Sequence, residues 1–404
     1  MKNMKICAVT TWPPHRDGVA LYSAYLYGHM SKNAGINEII ILANKSDSSA
    51  PFKINLEKDR CKVVRCWRRG SFLYPFKIFR DVLKENPNII HLQHGWLLYG
   101  DKIHALLFPA LLFFLRLLHK PVIVTIHTVV RRKARLYNNR IVNFMAKIAI
   151  IFLTRTIVKL SDRVIVHNHL MKKILEESYS LKKEEKKIFV VPHGVKEILK
   201  KPMENTRENG AIQILSLGFI RKKSGIEYLI EAFKSFSANY PNTTLVIVGG
   251  RHAHDKEDYT EAIKRILANS PKNIVFTDFI DEEKLDELIW KSEIIVLSAV
   301  EDCYIEASGS LARVAMYGKP VICNRVPKFE IELKDGEDCI MTKPKDKGSL
   351  MKALTLLFKD AKLRERLGCK LKEKFRGKCW SNVAKRHLEL FKSVSTRRQR
   401  WNNF

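Results

Sequence analysis

Three sets of residues have types and spacings that could do chemistry. Ser308-Gly309-Ser310 follows an apolar, strand-like run and precedes Leu311, Val314 and Ala315, which recur at helical spacing. A helix starting there turns unpaired backbone N–H groups and the positive end of its dipole outwards, which suits a phosphate. Serine is equally favoured as a plain helix cap, so the tripeptide alone leaves both readings open. The stretch Leu217-Gly218-Phe219-Ile220-Arg221-Lys222-Lys223-Ser224-Gly225 combines glycines with three consecutive cations. Such a loop can wrap a diphosphate or can be an exposed basic turn. In the first half, Trp12-Pro13-Pro14-His15-Arg16-Asp17-Gly18 is a stiff loop in which Gly18 would let a ligand approach the backbone. Gln93-His94-Gly95, His127 and Val191-Pro192-His193-Gly194 close further apolar runs. A histidine at such a place is either a satisfied core residue or one that faces a ligand.

These loops need elements to position them, and the chain supplies two series. Apolar runs at 6–11, 39–43, 62–66, 89–93, 122–127, 164–167 and 188–192 alternate with helix-length segments, and a second series follows at 212–217, 244–248, 274–277, 294–298, 321–323 and 339–342. That alternation predicts parallel α/β sheets wound on both sides. The polar segment 196–210 separates the series as a linker, so two Rossmann-like domains facing a cleft are expected. In doubly wound sheets ligands bind beyond the carboxyl ends of the strands, where the loops named above lie. A length of 404 residues with 46% hydrophobic content is enough for two cores.

Net charge is +30 and unevenly placed: residues 1–201 carry 36 Lys and Arg against 14 Asp and Glu, and residues 202–404 carry 36 against 28. The first half therefore attracts polyanions. Two strongly apolar stretches, 104–118 and 141–158, are surrounded by Lys102, Arg116, Lys120, Arg131, Arg132, Lys133, Arg135, Arg140, Lys147, Arg155 and Lys159. This pattern favours an anionic membrane surface over nucleic acid, for which no recognisable module or aromatic-basic interleaving is present. A spanning helix wants about 20 mostly uncharged residues, and Pro109, Arg116, Lys147 and Arg155 interrupt these two. They read as helices packed on a sheet, as an interfacial surface, or as both on different faces. The eight cysteines show neither a Cys-x-x-Cys pair nor zinc-ligand spacing, which predicts reduced thiols, a reducing compartment and no metal site. The N-terminal residues run into a strand and a Pro-Pro loop, so no export signal is expected.

Taken in order, WPPHRDGVALYSAYL, TIHT with SDRVIVHN after it, VVPHGV, ILSLGFIRKKSGIEYLIEAF, LVIVGG and SGSLARVAMYGKPVI resemble the retaining nucleotide-sugar glycosyltransferases of family four, the glycosyl transferases group 1. The resemblance covers nearly the whole chain. It implies a GT-B fold, with an acceptor-side domain over 1–200, a donor-binding domain over 201–379, and a terminal helix within 380–404 that crosses back to the first domain. It also implies that a GDP- or UDP-sugar is the donor and that neither a metal nor another cofactor is required. Carried over by position, Gly18 faces the donor phosphate or acceptor and His127 binds the transferred sugar. Gly218 and Arg221, with Lys222 or Lys223, hold the diphosphate, and Ser308, Gly309 and Ser310 complete its site through their amides. The leaving diphosphate helps deprotonate the acceptor on the same face, which retains configuration without a strong protein base.

The sequence departs from the family pattern at two places. Phe219 and Ser224 stand where the family has the arginine of Gly-Arg and the glycine of Lys-Gly, so Arg221 and Lys223 would serve by local displacement. The Glu-x7-Glu pair is missing: Arg313 takes the second position and Ile305 the first. Glu301 and Glu306 are the nearby carboxylates, and Glu306 is the one expected to contact sugar hydroxyls. The resemblance thus points to a cytoplasmic transferase, peripheral on the inner face of the cell membrane, that moves a hexose to a lipid-linked or glycan acceptor. The missing pair keeps an alternative in view, a catalytically silent GT-B partner or scaffold subunit of an active transferase.

Overall fold

The computed structural model describes residues 4–45, 60–131, 134–198, 212–221, 223–250, 259–300 and 304–401. Lys222, Glu301, Cys303, Arg132, Lys133 and most of the 196–210 linker lie outside them, as do the side chains of the basic tail 397–400. The chain forms two compact units. The first comprises Met1–Gly194, Cys303–Ala307 and Trp380–Phe404, and the second comprises Val195–Asp302 and Ser308–Cys379.

In the first unit the strands are β1 (Met4–Thr10), β2 (Ile36–Asn44), β3 (Cys61–Trp67), β4 (Ile89–His94), β5 (Val122–Ile126), β6 (Thr128–Val130), β7 (Arg163–Val166) and β8 (Ile188–Val190). Seven of them build one parallel sheet in the order β3-β2-β1-β4-β5-β7-β8. Helices cover both faces of such a sheet, which is why its central strands are near-continuous apolar runs rather than alternating ones. Ile6, Val9, Ile39, Ile41, Ile90, Leu92, Ile123 and Val124 are all fully buried. Strand order reverses between β1 and β4, and at such a switch point the adjoining loops diverge and leave a crevice for a ligand. The loops that open there follow β1 at Thr11 and β4 at Gly95.

The helix Gly18–Ser31 begins on Asp17, whose carboxylate accepts the Ala20 amide at 2.6 Å. The C-terminal helix Trp380–Trp401 packs on this unit through Trp380, Val383, Ala384, Leu388, Phe391 and Val394, which share a core with Met4, Tyr22, Leu26 and Ile39. Tyr25 stacks on the Trp380 ring with centroids 5.6 Å apart. A β-carbon on Gly194 would overlap that indole, so only glycine fits where the chain passes it.

The helix Arg140–Leu160 is the one helix among the described residues long and apolar enough to cross a bilayer. Leu153, Thr154, Ile157 and Val158 turn one face of its second half to the protein. Ile141, Phe144, Met145, Ile148 and Phe152 repeat at helical spacing on the opposite face and are exposed, Ile141 by 75% and Phe144 by 63%.

The second unit contains β9 (Ile212–Leu217), β10 (Thr243–Val248), β11 (Ile274–Thr277), β12 (Ile294–Leu297), β14 (Val321–Asn324) and β15 (Ile340–Thr342), with β13 (Tyr304–Glu306) between β12 and β14 in the chain. The six form a parallel sheet ordered β11-β10-β9-β12-β14-β15, with its switch point between β9 and β12. The apolar runs expected from sequence all fall in these two sheets. One feature has no counterpart in that expectation: β13 pairs antiparallel with β6, Glu306 opposite Thr128 and Tyr304 opposite Val130, which makes it part of the first unit. Two strands of three residues each are too short for periodicity to reveal.

Candidate functional site

In the second unit the loop after β9 is tied down on two sides. Gly218 donates its N–H to Val248 at 3.0 Å and Ile220 donates to Gly250 at 3.0 Å, while Val300, beyond β12, donates to the carbonyl of Lys223 at 3.1 Å. The loop is thus fixed across the switch point. Gly218 has a φ of +147°, and a β-carbon there would lie 3.1 Å from Ser310 Oγ. The loop after β9 and the start of the helix Gly309–Val314 therefore meet. Ser308 caps that helix, its Oγ accepting the Leu311 amide at 3.2 Å. Gly309 has open space where a β-carbon would sit and no positive φ, so nothing among the described residues demands glycine there. The structure brings Gly218, Arg221, Lys223, Ser308, Gly309 and Ser310 onto one end of this sheet; Lys222 is outside the described residues.

Arg313, in the family's second carboxylate position, is 9% exposed and turned to a different task. Its guanidinium pairs with Glu282 and, at 3.2 Å, with Asp286. Asp286 also takes Lys196 and the Tyr317 hydroxyl. Burial beside Asp286 pushes the Tyr317 hydroxyl well above its usual range. The reversed charge is buried and built into a half-buried network of ion pairs rather than left exposed.

In the first unit the strand ends collect imidazoles. His127 follows β5, donating its backbone N–H to His94 at 2.8 Å. Its Nε2 lies 2.7 Å from Gln93 Oε1 and its Nδ1 lies 3.0 Å from His167 Nε2. Both ring nitrogens are therefore engaged by the protein. The Tyr22 ring packs edge-on against His127 at 4.8 Å and His193 at 5.3 Å, with His167 at 5.1 Å and Trp380 at 5.1 Å. Enclosure by protein, followed by the neighbouring His167 and His193, holds His127 well below the usual imidazole range. Burial pushes His167 down to about 3 and His94 down to about 3. Neither ring nitrogen of the buried His94 has a hydrogen-bond partner among the described residues. No group of three or more metal-ligating side chains occurs among the described residues.

Gly18, the first residue of its helix, resembles Gly309 in having open space for a β-carbon. The capping Asp17 beside it is fixed by Thr11 Oγ1 at 3.0 Å and by His15 Nε2 at 3.2 Å. Glu306 joins His127 in this unit because the β6–β13 ladder sets it against Thr128. The sequence marks Gln93 only as part of the strand-end run Gln93-His94-Gly95 and gives Tyr22, His167 and Trp380 no role. The signal is present for His167, which follows the run RVIV as His127 follows VIVTI, but nothing local marks Tyr22 or Trp380.

Two doubly wound parallel sheets, each with glycine-bearing loops at its switch point, are the architecture of the GT-B fold. The description "Glycosyl transferases group 1" matches residues 197–374, and "Glycosyltransferase Family 4" matches residues 16–197. Together they run through both units, and the chain belongs to this glycosyltransferase family. Solved structures agree on the fold. A sucrose-phosphate synthase from Thermosynechococcus elongatus superposes with a TM-score of 0.74 at 17% identity, covering 97% of this chain and 99% of its own. A glycosyltransferase from Rickettsia africae gives 0.72 at 15% identity over 98% and 99%. Anabaena HepE, solved with UDP-glucose, gives 0.71 at 12% identity over 96% and 100%. No curated protein sequence matches the chain.

Proposed function

We propose that this glycosyltransferase is retaining, takes a nucleotide-diphosphate sugar as donor without a metal, and delivers a hexose to a lipid-linked or glycan acceptor at an anionic membrane surface. The observation that carries the donor half is the meeting of Gly218 with Ser310, which places the Arg221 and Lys223 loop beside a helix start with room over Gly309. A diphosphate there would gain charge-assisted contacts from the cations and backbone N–H groups from the first turn. Those groups stabilise charge that grows on the leaving diphosphate, the kind of contact whose loss costs about 10²–10³ in rate. HepE, with its UDP-glucose, supports a UDP-sugar as one candidate donor. In the first unit, the engaged ring nitrogens of His127 fit a positioning role beside the sugar better than that of a base, with Glu306 and Gly18 as its neighbours in function.

Thermal shifts against GDP, UDP, ADP and their sugar conjugates, without metal, test this reading in the wild type and in Arg221→Ala. Stabilisation by one nucleotide, lost in the variant, is expected; a ligand at 100 times its Kd adds about 2.7 kcal/mol. No shift with any of them would overturn it. The ion-paired Arg313 gives specific support to a second reading, a silent partner of an active transferase. Nucleotide binding without turnover across lipid and glycan acceptors would select that one.

A further inference from the structure

An unbroken file of hydrogen bonds runs through the core of the first unit. Thr125 Oγ1 is 2.8 Å from His91 Nε2, and His91 Nδ1 is 2.9 Å from the Tyr27 hydroxyl. That hydroxyl is 2.8 Å from the amide nitrogen of Gln93, whose Oε1 lies 2.7 Å from His127 Nε2. His127 Nδ1 then meets His167 Nε2 at 3.0 Å, and His167 Nδ1 ends the file on the carbonyl oxygen of Val191 at 3.2 Å. Thr125, His91, Tyr27, Gln93 and His167 are all buried.

The last link sets the direction of all the others. A carbonyl oxygen can only accept, so His167 must carry its proton on Nδ1. A neutral His167 then accepts at Nε2, which requires His127 to donate from Nδ1 and to accept at Nε2. Gln93 must therefore present its amide nitrogen to His127 and its oxygen to Tyr27, the reverse of its placement in the structure, where Oε1 faces His127 Nε2 and the amide nitrogen faces the Tyr27 hydroxyl. Tyr27 donates to that oxygen and accepts from His91 Nδ1, and Thr125 donates to His91 Nε2. Every link is satisfied with no charge. With the carboxamide left as the structure places it, His127 and His167 both hold their protons on Nε2, and Val191 faces a bare ring nitrogen unless His167 becomes an imidazolium. Burial opposes that charge, since it holds His91, His127 and His167 below the usual imidazole range.

We propose that this file fixes His127 as a neutral imidazole with its proton on Nδ1, and that Gln93 and His167 are the positioning residues that enforce the form. The inference deepens the reading of His127 as a group beside the transferred sugar: a ring so held cannot take the acceptor's proton and offers the sugar a rigid wall.

The test is the two-bond ¹H–¹⁵N imidazole spectrum of the full-length protein at pH 7.5, with His127 signals identified by their loss in His127→Gln. The expected pattern has a protonated Nδ1 and a bare Nε2 on His127. In Gln93→Glu the carboxylate can only accept, so His127 is expected to hold protons on both nitrogens. In His167→Phe the Nδ1 proton loses its acceptor, and the signals should move towards the other tautomer. A wild-type His127 protonated on Nε2, or a pattern unmoved in His167→Phe, would overturn the proposal even if Gln93→Glu fails to fold. Because the spectrum needs no substrate, it decides this point whether or not nucleotide sugar is turned over.

Discussion

Gly249 lies so close to Gly218 that a β-carbon on it would overlap the Gly218 carbonyl oxygen. Both residues have positive φ, +144° and +147°, and each directly follows a strand, β10 and β9, at the carboxyl edge of the second sheet. The two loops can close together only because neither carries a side chain there. Gly249→Ala combines overlap with backbone strain and should cost about 2–4 kcal/mol, lowering Tm by about 5–10 °C. Gly309→Ala makes the opposite prediction. Its β-carbon meets nothing within 4 Å, so Tm should stay within about 1 °C while nucleotide affinity falls at least tenfold. Calorimetric titration of the two variants separates them; a Gly309→Ala protein that binds nucleotide normally would remove that glycine from the site.

The buried imidazoles predict how the first unit responds to acid. Burial depresses His94 and His167 to about 3 and His387 to about 4, against an ordinary value near 6.5. The unfolded chain therefore binds more protons than the folded one below pH 6.5, so stability rises with pH in that range. The contribution is fully present above about pH 6.5 and is lost progressively as pH falls from there through about 4 for His387 and about 3 for His94 and His167. Each group can add a slope of up to about 1.4 kcal/mol per pH unit. Denaturant unfolding followed from pH 7.5 to 5 should show a loss of a few kcal/mol that is reduced in His94→Phe. A flat profile would contradict the depressed values.

Much of the architecture could be read from the chain because parallel strands announce themselves as short apolar runs, and the glycine-cation loop after β9 and the Ser-Gly-Ser turn are local patterns. What stayed hidden was long-range. Glu306 gained its place beside Thr128 through a three-residue ladder between segments far apart in the chain. Gln93 and Tyr27 lie far apart in the chain, and only the fold reveals that they touch. Arg313 marked a departure from the family pattern, but its ion pairs with Glu282 and Asp286 depend on the placement of the helix Glu282–Lys291.

The exposed stripe on the helix Arg140–Leu160 supports the membrane part of the proposed function. Ile141, Phe144, Met145, Ile148 and Phe152 face away from the residues that anchor the helix, and Arg135, Arg140 and Lys147 lie on or beside it. Apolar insertion and attraction to anionic lipid would then act together, each basic residue near the surface adding about 1 kcal/mol. Vesicles containing phosphatidylglycerol should carry the protein in flotation and release most of it as salt rises from 50 to about 500 mM, where the Debye length falls below about 5 Å. Phe144→Glu with Phe152→Glu should abolish flotation without lowering Tm, because both side chains are more than 60% exposed. Arg135→Glu with Arg140→Glu should weaken it and flatten the salt dependence. Binding that survives both pairs, or that is equally strong on neutral phosphatidylcholine vesicles, would show that this face is not the one that meets the membrane.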